Sequence, residues 1–108
     1  MNPRILRRNF LSGLFRGLRV VWPILSALLL LIVALGLLVG LREGWSIQEG
    51  IYFAFVSGLT IGYGDFAPKF LSSRVLAVLI GVCGVLLTAL LAAVAVKALT
   101  EATEERER

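Results

Sequence analysis

Histidine is absent from this 108-residue chain, cysteine occurs once, and seven acidic residues stand against eleven basic ones. A single thiol builds no disulfide framework. Cys83 lies midway along an apolar run, reads as a small packing residue, and says nothing about redox compartment. With no histidine, no acid pair and no nucleophile with a base to activate it, the side-chain sets that enzymes need are missing. Charge is also missing from two stretches, residues 20–41 and 75–96, of 22 residues each. As helix each reaches about 33 Å, against a hydrocarbon core of about 30 Å. Together with a 58% hydrophobic composition, they point to an all-α membrane protein with two spanning helices. Two helices in lipid have little core of their own, because the surrounding tails are as apolar as their leucines, so oligomerisation is expected.

The net charge of +4 is concentrated. Arg4, Arg7, Arg8, Arg16 and Arg19 precede the first span with no acidic residue among them. Membrane topology and anionic lipid explain such a flank better than nucleic acid does, and no nucleic-acid partner is inferred. The termini hold eight Lys and Arg, including Lys97, Arg106 and Arg108; the connecting segment holds Arg42, Lys69 and Arg74. That asymmetry predicts a multi-pass protein of the cell membrane with both termini cytoplasmic and residues 42–74 outside. Arg7-Arg8-Asn9-Phe10-Leu11 resembles a twin-arginine export signal. The apolar run that follows is of spanning length and lacks a small-residue cleavage site, so a retained helix fits better.

Within the basic flank, residues 1–19, Phe10, Leu11, Leu14, Phe15 and Leu18 share one helical face opposite Asn9, Ser12, Arg16 and Arg19. This reads as an interfacial amphipathic helix. Gly13 and Gly17 leave open a flank without fixed structure. Trp22 and Pro23 suit the start of the first span, at the interface, where a missing N–H does little harm. Gly36 and Gly40 form a G-x-x-x-G pair, read as helix packing. Ser46-Ile47-Gln48-Glu49 has the form of a capping box, predicting a helix over 47–58. At roughly 18 Å it is too short to cross a bilayer and must turn back. Non-helical backbone at membrane depth survives only where protein buries it or where it lines a water-filled path. The segment after Gly58 therefore predicts a pore.

That segment reads Thr60-Ile61-Gly62-Tyr63-Gly64-Asp65. Its five fixed residues, T-x-G-Y-G-D, arise by chance in a chain this long less than about once in 10⁴ at ordinary residue usage. A glycine-rich turn does not account for Thr60 and Tyr63. Here the chain resembles the potassium channels, whose selectivity-filter signature is T-V-G-Y-G-D, over about residues 20–96. The resemblance implies a homotetramer with outer helix 20–41, pore helix 47–58, extended filter 60–65 and inner helix 75–96, followed by a cytoplasmic tail, 97–108. It implies rings of backbone carbonyls from Thr60, Ile61, Gly62, Tyr63 and Gly64, with the Thr60 hydroxyl at the inner end, coordinating K+ as the permeant ion and no cofactor. The residues suit this. Gly62 and Gly64 tolerate positive φ, so they alternate with Ile61 and Tyr63 while the large side chains turn away. The carbonyl end of the pore helix favours a cation in the central cavity.

On the inner helix, Gly84 stands at the family's hinge position; the alternative is close packing, and Gly81 suits either part. Val85, Thr88, Ala92 and Val96 share one face and are cavity candidates, with the inner gate at Ala92 and Val96. Cys83 points the other way. Three positions depart from the family. Leu59 replaces a second threonine and is expected to affect packing. Phe53 replaces a tryptophan that bonds the filter tyrosine, leaving Ser57 as a candidate partner for Tyr63. Val56 replaces a glutamate that pairs with the filter aspartate, so Asp65 needs another donor. Tyr52 lies near it by family analogy and carries a hydroxyl; the competing reading is that Tyr52 packs against lipid or a neighbouring helix. No segment has the regular arginines of a voltage sensor. The tail is expected either to extend the inner helix or to mark where a longer protein was cut. The rival readings are a poorly selective cation channel on the same scaffold and a non-conducting two-helix assembly subunit.

Overall fold

The computed structural model describes residues 2–107, with only the backbone of residues 105–107. Arg108 of the basic count lies outside the described residues, as do the side chains of Glu105, Arg106 and Glu107. The chain forms three helices: α1, Pro3–Glu43; α2, Ile47–Gly58; and α3, Leu71–Glu107. α1 and α3 are long and apolar enough to cross a membrane. No strand occurs among the described residues.

α2 starts where the capping box puts it. Ser46 Oγ accepts from Glu49 N and Glu49 Oε1 accepts from Ser46 N, satisfying two of the helix's free donors. α1 stops at Gly44, whose φ of +77° lets Trp45 N donate back to the Gly40 carbonyl at 2.8 Å.

Two boundaries differ from expectation. α1 begins at Pro3 and runs unbroken into the apolar stretch, so residues 10–18 are not a separate interfacial helix. Pro23 lies inside it, where its missing N–H leaves the Arg19 carbonyl without its helical partner. α3 starts at Leu71 rather than 75 and continues through the tail to Glu107. Polar Ser72, Ser73 and Arg74 had hidden its first turn.

The chain divides into two compact units. The first joins residues 1–25 to 89–108. Here Gly13 meets Ala98, and a methyl group added to Gly17 would come within 2.6 Å of Val94. Small residues thus bring the two helix segments together, with Val94, Ala98 and Ala102 buried along α3. Phe15, on the apolar face read from the sequence, is 72% exposed.

The second unit, residues 26–88, holds α2. Gly36 and Gly40 of α1 admit Gly50 and Ala54 of α2, so the G-x-x-x-G pair packs one helix on another. Ile32, Leu35 and Val39 join Phe53, Ala54, Val56, Ile80, Cys83 and Leu87 in the core. Gly84 of α3 lies against the backbone of Gly58 so closely that no side chain fits there.

Candidate functional site

After Gly58 the backbone leaves the helix, and three N–H groups turn back onto its last carbonyls. Thr60 N donates to Ser57 O at 3.2 Å, Ile61 N to Val56 O at 2.9 Å and Gly62 N to Val56 O at 3.2 Å. In a planar trans peptide the N–H and the preceding C=O point in opposite directions. The tethers from Ile61 and Gly62 therefore aim the carbonyls of Thr60 and Ile61 away from α2. None of the carbonyls of Thr60, Ile61, Gly62, Tyr63 and Gly64 accepts a hydrogen bond among the described residues. Five consecutive acceptors on an exposed segment are left for something outside the chain.

The dihedrals alternate. Gly62 has φ +61° and Gly64 +81°, and Thr60 also lies at +59°, the single non-glycine residue with positive φ among those described. Positive φ at every second residue keeps successive carbonyls from flipping to opposite faces as they do in a strand. The Thr60 hydroxyl donates to the Leu59 carbonyl at 2.6 Å, leaving its own lone pairs free.

Asp65 sits at the other end of this row. Tyr52 Oη donates to Asp65 Oδ2 at 2.8 Å, and Phe66 N donates to Asp65 Oδ1 at 3.1 Å. The bond to Asp65 raises the Tyr52 hydroxyl above its ordinary pKa of 10.0. Ser57 and Tyr63 are not bonded to each other within the chain; Tyr63 is 68% exposed.

Sequence reasoning missed the ring cluster that fixes this corner. Trp45 lies 5.1 Å from Phe53 and 5.2 Å from Phe66, which in turn meets Tyr52 edge-on at 5.8 Å. The aromatics are visible in the chain, but their proximity joins residues up to 21 positions apart. Glu43 was missed as well. Its carboxylate accepts from Lys69 N, from Phe70 N at 3.4 Å and from Ser73 Oγ at 3.2 Å, so the end of α1 caps the start of α3. Ser73, 0% exposed, finds its partner there. Arg42 covers the Phe70 ring at 4.5 Å.

On α3, Gly81 lines an open apolar hollow of about 420 Å³ with Thr60, Val78, Val82, Val85 and Leu86, and a side chain there would meet nothing. Gly84, the expected hinge glycine, is instead the one pressed against Gly58. Val85 and Thr88 in the second unit are exposed, as are Ala92 and Val96 in the first. Cys83 is buried.

The sequence pattern of a family described as ion channel matches residues 24–101. Potassium channel subfamily K member 17 of Homo sapiens is 49% identical over 43 residues, covering 40% of this chain and 13% of its own length. Potassium channel, subfamily K, member 16 of Mus musculus is 62% identical over 24 residues, 22% of this chain and 8% of its own. Subfamily K member 4 of Mus musculus is 38% identical over 56 residues, 52% of this chain and 14% of its own. This chain thus spans a small fraction of the curated relatives it matches. No solved structure matches it.

Proposed function

This chain belongs to the ion channel family, and from that premise we propose that it is one subunit of a homotetrameric, potassium-selective channel of the cell membrane. The observation that carries the reading is the row of five consecutive carbonyls, Thr60 to Gly64, that accept nothing within the chain. A potassium ion stripped of water needs several oxygens at once, and one chain offers too few around any point. Four copies about an axis supply stacked rings, the innermost completed by the Thr60 hydroxyl. The permeant ion is cargo, and no cofactor takes part. Supporting the choice of ion, the relatives that match part of this chain are named as potassium channels.

In this reading Tyr52 and Asp65 brace the outer mouth, and Gly84 holds α3 to the end of α2. Thr88 faces the cavity, and Ala92 and Val96 form the inner constriction. Both termini lie in the cytoplasm. The exposed hollow beside Thr60 is the face that neighbouring copies cover.

Purified protein in liposomes tests it. Potassium flux with little sodium flux supports the reading, comparable flux of both leaves an unselective cation channel, and no flux leaves an assembly subunit. Mass measurement in mild detergent gives a tetramer; a monodisperse monomer or dimer overturns the stoichiometry.

A further inference from the structure

In the first unit α3 buries Val94, Ala98 and Ala102, and α1 meets the first two of these at Gly17 and Gly13. Ala92 and Val96 each stand two positions from Val94, and two positions carry a helix about 200° round its axis. The residues of the proposed inner constriction are thus on the side of α3 turned away from α1, where Val96 is 64% exposed. The contact with α1 is tight at one residue. A methyl group at Gly17 would stand 2.6 Å from Val94 Cγ1, well inside the roughly 3.5–4.0 Å that two carbons need. Val94 is branched at Cβ, and a helix leaves such a side chain essentially one rotamer, so it does not swing clear. One turn earlier, a methyl group at Gly13 would lie 3.4 Å from Ala98 Cβ, at the edge of ordinary contact.

We propose that Gly17 is a positioning residue for the inner constriction: its missing side chain lets α3 sit back against α1, and the spacing of the two helices sets how far Ala92 and Val96 reach toward the pore axis. Bulk placed between the helices pushes α3 away from α1, which is the direction its opposite face points. Close-packed contacts pass such a shift on, because they hold few voids to absorb it. A small residue at a helix contact ordinarily serves association. Here the contact backs onto the constriction two residues away, so the same approach also sets an aperture. The proposal rests on the channel reading above and adds to it the residue of the outer helix that determines the width of the inner mouth.

Potassium flux in liposomes and single-channel recordings test it, with circular dichroism and subunit mass in mild detergent showing that each variant folds and assembles. Gly17→Ala lowers flux about tenfold, within the range that overpacking by one methyl group gives. Gly13→Ala adds the same methyl group and the same gain in helix propensity without the clash, and keeps the flux of the parent protein. Val94→Ala removes bulk from the contact and raises flux. Gly17→Ala combined with Val94→Ala fills the space that the valine vacates and returns flux to within about twofold of the parent value. The recordings place the change in closed times and leave potassium over sodium selectivity as it was, because the segment from Thr60 to Gly64 is untouched. Unchanged flux from a folded, assembled Gly17→Ala protein shows that α1 yields in place of α3 and overturns the proposal. A double variant no better than Gly17→Ala alone overturns it as well. If these variants match the parent while Val96→Asp still raises flux, the channel reading stands without the proposal; a parent protein that conducts nothing removes both.

Discussion

At the scale of single residues, the row from Thr60 to Gly64 rests on backbone handedness. A methyl group on Gly62 would meet nothing within 4 Å in its own chain, so φ of +61° and not space is what calls for glycine there. An L-residue in that region costs roughly 1–2 kcal/mol and relaxes toward negative φ, turning a carbonyl out of the row. Gly62→Ala is expected to abolish selective potassium flux in liposomes, and unchanged selectivity would remove Thr60–Gly64 from the ion path. Thr60 bears a strain of its own, about 1–3 kcal/mol for a β-branched side chain at positive φ. The three tethers to α2 hold it. Tyr52→Phe deletes one hydroxyl and with it the 2.8 Å bond to Asp65. Single-channel open times should shorten while selectivity during openings stays as it was; unaltered open times in both Tyr52→Phe and Asp65→Asn would show that no brace exists. The pH dependence follows in sign. The Tyr52 hydroxyl has its pKa raised, so its contribution is complete below the ordinary value of 10.0 and is lost as pH rises through the higher native value. Open times should hold up to about pH 10 and fall above it, with the fall absent in Tyr52→Phe.

Among the elements, the contact between Gly58 and Gly84 joins α2 to α3 with no room for a methyl group. Gly84→Ala forces the two backbones apart, and overpacking of this kind costs about 1–3 kcal/mol. A lower melting temperature of the detergent-solubilised protein is expected, against little change for Gly81→Ala, which has open space. What the sequence made legible here was local. The capping box set the start of α2, and the uncharged runs located both long helices. What stayed hidden was non-local. Gly13 and Gly17 weaken a helix locally, yet they permit the close approach to Ala98 and Val94, and α1 runs unbroken past them. The role of Glu43 leaves no local signal, because its three partners lie 26 to 30 residues away. Positive φ at Thr60 ran against the preference of a β-branched residue, so only the glycines suggested it.

For the molecule as a whole, the proposed tetramer assigns the large exposed apolar surface of one chain to lipid and to further copies. Val96, 64% exposed, belongs to the proposed inner constriction. Val96→Asp should wet that constriction and raise resting potassium flux; unchanged flux with normal expression would place the gate elsewhere on α3. The row of unused carbonyls carries a further consequence, a statistical one. In the proposed tetramer each chain contributes a single quadrant to every ring, so one faulty quadrant spoils the whole ring. If Gly62→Ala subunits mix freely with an equal number of normal ones, about one tetramer in sixteen is wholly normal, whereas in a two-chain assembly about one in four would be. The selective flux that survives co-expression therefore counts the chains around the pore, and a defect in half the copies silences far more than half the channels.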